Sequence, residues 1–100
     1  MEYGTSKGFF NVKELTQDLI FHSDAGHGWL AVPKKVIDWL GLRPSQYSYF
    51  NHKTNVVYLE EDSDASAFVA FAKSKGMTLN IKDQDDGDSS PIRRLSRCGL

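Results

Sequence analysis

Two spacings of apolar residues alternate along this chain, and each predicts an element type. In "EEDSDASAFVAFAKSKG" the residues Ala65, Phe68, Val69 and Ala72 recur at i, i+3, i+4 and i+7, the stripe of a helix with one buried face. Asp62 or Ser63 can cap it, the acidic residues suit the positive end of its dipole, and lysines fill the last turn before Gly76. "PKKVIDWL" predicts a second helix: Pro33 belongs in a first turn, Gly41 supplies the stop, and Val36, Ile37 and Leu40 share a face. In "FFNVKELTQDL", Asn11 and Glu14 form a capping box and Phe10 can staple against Leu15, which predicts a first helix of about two turns.

Between these lie runs of strand character. "LIFH" and "GWLAV" flank a turn containing Gly26 and Gly28 and read as a β-hairpin. "QYSYF" and "VVYLEE" flank "NHKTN" and read as another, while "MTLNI" supplies a last short strand. The expected fold is α+β, a mainly antiparallel sheet of about five strands (two hairpins plus that last strand) with two to three helices on one face. Residues 1–8 read as a loose lead-in and 9–82 as a single domain. Residues 83–100 form a polar and basic C-terminal tail, whose "DQDDGDSS" and "PIRRLSR" carry too few large apolar groups to order themselves alone.

Composition narrows the function classes. The 100 residues are 40% apolar and 12% aromatic, enough for one domain to fold without a metal or disulfide. Twelve basic against 13 acidic side chains leave too little net charge to steer the chain to nucleic acid, so any such partner must be met by a local patch. The lone cysteine, Cys98, has no partner for an intrachain disulfide, which suits a reducing compartment. No apolar run approaches the ~20 residues of a membrane span, and "MEYGTSKGFF" lacks the pattern of a signal peptide. The expected location is the cytoplasm, away from membranes.

The densest chemistry is in "FHSDAGHGWLAVP". His22, Asp24 and His27 have an H-x-D-x-x-H spacing that zinc or iron would accept, the basis for a small metal-dependent hydrolase. On a hairpin, however, the two histidines fall on opposite arms or at the tip. No further cysteine or histidine cluster completes the set, so no metal site and no cofactor is assigned. The competing reading is a turn in which Asp24 accepts backbone hydrogen bonds, Gly26 and Gly28 supply positive φ, and His27 points to solvent. Catalysis would use His27 or His22 as general base, oriented by Asp24 or Glu60. It lacks a nucleophile: Ser23 is in no strained elbow, and no glycine-rich loop cradles phosphate. No catalytic residue is assigned, and a non-enzyme is favoured.

Three further groups are binding candidates. With Phe50 opposite Asn55, Tyr47 would face Tyr58 and Tyr49 would face Val56, putting three tyrosines on one sheet face. Exposed, they would stack unpaired bases, with Lys53 and the arginines near phosphate; half-buried, they would simply pack. Glu60, Glu61, Asp62 and Asp64 crowd a strand-to-helix junction that would meet a basic partner or Mg²⁺, although most such runs are solvated helix starts. Arg93, Arg94 and Arg97 would reach phosphate or an acidic surface. Trp29 and Trp39 are read as core or subunit-contact residues.

"DAGHGWLAVP", "YSYF", "VYLEEDSDASAF" and "SSPIRR" together resemble a family of small uncharacterised proteins of bacteriophages and other bacterial mobile elements. The likeness spans Phe21–Phe68 and Ser89–Arg94, with "GHGWL" and "VYLEED" its most specific parts. The "NHKT" loop is longer than the tight turn of that family. The resemblance implies a viral or prophage-like origin and transfers no catalytic residue. Because "SSPIRR" and "VYLEED" both belong to the shared pattern, it also favours Arg93 or Arg94 folding back onto the Glu60–Asp64 cluster. The leading expectation is a non-catalytic module that binds a host protein, or itself, and modulates a host or defence process. Its binding residues would come from Asp24, His27, Trp29, Tyr47, Tyr49, Tyr58, Glu60, Glu61, Arg93 and Arg94. A single-stranded nucleic-acid binder and the small hydrolase are the alternatives.

Overall fold

The computed structural model describes residues 15–99. β1 (Thr16–Ser23) and β2 (Gly28–Pro33) form the first hairpin, and β3 (Tyr49–Asn51) and β4 (Val56–Glu60) the second. Helix α1 (Lys34–Leu40) links the hairpins. A π-helical turn (Glu61–Ala65) runs into α2 (Ser66–Ser74), then comes β5 (Thr78–Asp85), a 3₁₀ turn (Pro91–Arg94) and β6 (Ser96–Arg97). The sheet order is β5-β1-β2-β4-β3-β6.

The fold is α+β, as the patterning indicates, but among the described residues its sheet has six strands and is mixed. β5 lies parallel to β1, while every other neighbouring pair is antiparallel. The parallel pair follows from the connection: α2 crosses a sheet face and returns the chain to the far edge, so β5 runs alongside the first strand. The expected first helix is not formed over Thr16–Leu19, which belong to β1; its proposed cap at Asn11 lies outside the described residues. There Leu19 is buried, and extended pairing with both β2 and β5 prevails over the local helical signal.

Direct strand partners share a face, so the register sorts the side chains. Leu30 pairs Leu59 and Val32 pairs Val57 on the face covered by the helices. These four join Leu19, Val36, Ile37, Leu40, Phe68 and Ala72 in the main core. α1 buries Val36, Ile37 and Leu40 and stops at Gly41, whose φ of 72° is the left-handed cap that glycine permits. α2 buries Phe68 and Ala72, and the side chain that caps its entry is that of Glu60 rather than Asp62 or Ser63. Glu60 accepts from the Asp62 and Ser63 amides at 3.1 and 3.2 Å.

The opposite face carries Trp29, Tyr49 and Tyr58, and the C-terminal stretch covers it. Ile92 of the 3₁₀ turn is buried against Trp29 and Tyr49, with Tyr58 and Leu95 around them. The segment set apart as a tail is therefore part of this second layer: residues 83–85 complete β5, and Ser96 and Arg97 add a strand beside β3. It gains order from the sheet, in keeping with a composition too polar to fold by itself.

Candidate functional site

The turn between β1 and β2 is held by one carboxylate. Asp24 Oδ1 accepts from the Gly26 and His27 amides, both at 3.0 Å, as the sequence indicated. The same carboxylate then takes three more donors from the C-terminal segment. The Ser90 amide reaches Oδ2 at 2.8 Å, Arg93 Nε reaches Oδ2 at 2.6 Å, and Arg93 Nη2 reaches Oδ1 at 2.8 Å. The Asp24 side chain has no solvent-accessible surface. The Arg93 guanidinium, followed by the Ser90 amide, holds its carboxyl far below the usual aspartate range, and the hydrogen bond to Asp24 raises the Arg93 pKa in turn. Asp24 is thus consumed inside the molecule and offers nothing to a partner.

Gly26 and Gly28 do not adopt positive φ. Their small size serves close approach instead. A Cβ on Gly28 would lie 2.4 Å from the Phe21 ring and 2.9 Å from Glu61 Oε1, and one on Gly26 would lie 3.1 Å from Arg93 Nη2.

His22, Asp24 and His27 do not converge. His22 Nδ1 turns to Asp86, at 3.3 Å from Oδ1 and 3.2 Å from Oδ2. Asp24 is occupied as described, and His27 Nδ1 stands 4.0 Å from Glu60 Oε2 with its ring half-exposed. Among the described residues no group of three histidine, cysteine or acidic side chains is placed to hold a metal ion. The acidic junction is likewise dispersed. Glu60 caps the helix, Glu61 is exposed, and Asp64 Oδ2 accepts from the Ser45 amide, the Ser45 hydroxyl and the Ser48 hydroxyl. Arg93 reaches Asp24, not the Glu60–Asp64 cluster, and Arg94 is exposed. The fold-back forms with a different acid because the 3₁₀ turn lies over the β1–β2 end of the sheet.

A second acid completes the clasp. Asp86 Oδ2 accepts from the Ser90 hydroxyl at 2.6 Å, and Asp86 Oδ1 accepts from Gln84 at 2.9 Å. Burial pushes the Asp86 carboxyl up, but hydrogen bonds from Ser90, Gln84 and His22 outweigh it and the net shift is downward. Burial, with the Asp86 charge, raises the Tyr58 phenol. Ser90 is fully buried and also caps the 3₁₀ turn by accepting from the Ile92 amide. Sequence reasoning passed over Asp86 and Ser90. The signal available was the Ser90-Pro91 pair, since a serine before a proline marks a helical start.

The tyrosine register differs from the expected one by two positions. Tyr49 faces Tyr58, Phe50 faces Val57 and Asn51 faces Val56, so the loop is His52–Asn55. Asn51 fixes this loop by accepting from the Lys53 and Thr54 amides, and Asn55 takes a φ of 58°. Tyr47 lies in the preceding turn and is exposed. Tyr49 is buried with its ring edge toward Trp29, at 6.2 Å between centroids. The Arg97 guanidinium lies 5.1 Å from the Tyr49 centroid and that of Arg93 lies 5.3 Å from Trp29. Arginines occupy the positions where stacked bases would sit.

What the structure does gather is a concave cleft of about 530 Å³ on this face. Trp29 and Tyr49 line it with Arg93 and Arg97; Tyr47 and His27 contribute, as do Glu60, Asp62 and Ser63. Six of the sequence-derived candidates thus meet there: His27, Trp29, Tyr47, Tyr49, Glu60 and Arg93. Tyr58 packs behind the aromatic pair. Ser63 Oγ donates to Glu60 Oε1 at 3.1 Å, and Glu60 stands between Ser63 and His27. In a Ser-His-acid triad the imidazole is the immediate partner of the serine, an order this arrangement does not have. No helix among the described residues is long and apolar enough to cross a membrane. Comparison with protein-family models, with curated proteins and with solved structures gave no match to this chain.

Proposed function

We propose that the protein is a non-catalytic binding module that docks a segment of another protein in the cleft beside Trp29 and Tyr49. The carrying observation is the build of that cleft: a rigid aromatic floor, with both arginines braced by internal contacts. Arg93 is held by Asp24, and Arg97 Nη1 donates to the Gln46 carbonyl at 3.0 Å. A recess whose walls are preorganised loses little entropy on binding. Asp24 neutralises Arg93, leaving Glu60 and Asp62 against Arg97 on the lining. The occupant that fits is a side chain with an apolar body and a cationic end, such as arginine or lysine, lying across Tyr47 toward the two acids. The likeness to phage and mobile-element proteins supports a host protein as the source of that segment and modulation of a host process as the outcome.

Affinity capture from a bacterial host lysate, with and without nuclease, tests this reading. The expected result is a nuclease-resistant protein partner whose capture drops at least ~10-fold with Tyr47→Ala or Asp62→Lys, a loss of about 1.4 kcal/mol. Both side chains are exposed, so neither change disturbs the core. Capture that vanishes with nuclease, and binding to oligonucleotides that weakens steeply with salt, would replace this reading with the nucleic-acid one. A partner retained by both variants would move the site elsewhere.

A further inference from the structure

The two edges of the sheet are unequal. β6 ends one side with two residues, whereas β5 ends the other with eight, and none of the described residues pairs with its outer rim. Long exposed edges are templates for another strand. Apolar exposure gathers at the same edge: of the four large apolar side chains left exposed among the described residues, Ile81 is on β5, Ile20 is on the adjacent β1, and Phe71 is on α2, which packs against β5.

We infer that β5 pairs antiparallel with β5 of a second copy, making one continuous sheet across a two-fold axis. Symmetry restricts the register. An axis normal to the sheet keeps each face on its own side, and directly opposed residues share a face, so the central residue must oppose itself. Centring on Lys82 or Asp83 sets like charges against each other, and centring on Asn80 pairs only residues 78–82. Centring on Ile81 pairs seven residues, 78–84, with no like-charge opposition. Ile81 then meets Ile81 beneath the helical layers. Lys82 of each copy falls opposite Asn80 of the other, whose amide already donates to Asp18 Oδ1 at 3.0 Å. The lysine of one copy is therefore in line with a carboxylate of the other, a favourable lateral charge on both sides of the axis.

Sedimentation equilibrium of the full chain over a concentration series reads the association. The expected mass is twice 11.3 kDa. Ile81→Glu, which opposes two carboxylates at the axis, should shift it to 11.3 kDa. Ile81→Cys in a Cys98→Ser background should give a disulfide-linked dimer on mild oxidation. Ile81 is exposed, so both variants should keep the wild-type circular dichroism spectrum. A monomer at all concentrations, or a dimer that survives Ile81→Glu and fails to cross-link, overturns the inference. The cleft lies on other strands, so partner capture by the Ile81→Glu monomer separates this result from the proposed binding role.

Discussion

Arg93 forms a two-pronged ion pair with Asp24, 69 residues earlier in the chain, at 2.6 and 2.8 Å. This contact joins the first turn of the sheet to its last covering segment. A fork of two parallel N–H donors matches a carboxylate in a way that a single ammonium does not. Arg93→Lys should therefore fail to replace arginine. The expected outcome is faster tryptic cleavage at Arg94 and Arg97 in the lysine variant, and faster still in Asp24→Asn, where Arg93 and the Ser90 amide both lose their ionised acceptor. Equal cleavage rates in wild type and both variants would show that the segment is held by its apolar contacts alone.

The same clasp sets an acid limit. Asp24 and Asp86 both have folded-state pKa values below the ordinary 3.8. A depressed carboxyl contributes stability that is fully present above its unfolded value and disappears as pH falls through its folded value. The C-terminal layer should hold at pH 5 and above and loosen only as pH drops below about 3.9, the ordinary aspartate range. Trp29, with Arg93 beside its ring, is the natural reporter, and its fluorescence should change in that window. Asp24→Asn should remove most of the pH dependence; a wild-type transition near pH 6 would place the titration on another group.

Gly28 is the point where packing is tightest around the turn. With only 2.4 Å between the place a methyl group would take and the Phe21 ring, Gly28→Ala must displace either the ring or the strand. Forced overpacking of this kind costs about 1–3 kcal/mol. A urea titration should show the midpoint lowered with an unchanged slope. Phe21→Leu should recover part of the loss by vacating the ring position, an outcome that backbone strain at Gly28 would not produce.

The local signals carried α1, α2 and the existence of both hairpins, but not the register of the second. Pro33, Gly41 and the Val36–Ile37–Leu40 face specify α1, and the Ala65–Phe68–Ala72 stripe specifies α2, because each depends on spacing within one turn or two. Three features were not legible: two rest on long-range contacts and one on the geometry of a single loop. β1 is a strand because β2 and β5 flank it, a fact absent from "LTQDL" itself. The tyrosine register turned on the Asn51 loop, where a shift of two positions keeps the faces but changes every partner. Arg93 meets Asp24 rather than the acidic run because the 3₁₀ turn that carries it lies over the β1–β2 end of the sheet. The cleft was foreseeable as a set of residue types, not as a place.

The two apolar layers should differ in what they support. Phe68 is fully buried in the helical core, whereas Ile92 is buried in the smaller cluster with Trp29 and Tyr49, edged by Tyr58 and Leu95. Truncating a core phenylalanine costs about 3–5 kcal/mol and truncating a buried isoleucine about 2–5 kcal/mol, so total stability alone does not separate the layers. Their cooperativity does. Phe68 belongs to the cluster that joins both helices to the sheet, and Phe68→Ala should speed amide exchange in all strands together. Ile92 anchors a segment that adds only β6 to the sheet, so Ile92→Ala should open residues 86–97 first and leave β1, β2 and β4 protected. Ser90→Ala should act on the same segment by removing a donor to Asp86 and the acceptor of the Ile92 amide, at about 1–3 kcal/mol. If Ile92→Ala instead deprotects the whole sheet in one step, the C-terminal layer is part of the folding core, and the cleft would form only with the complete domain.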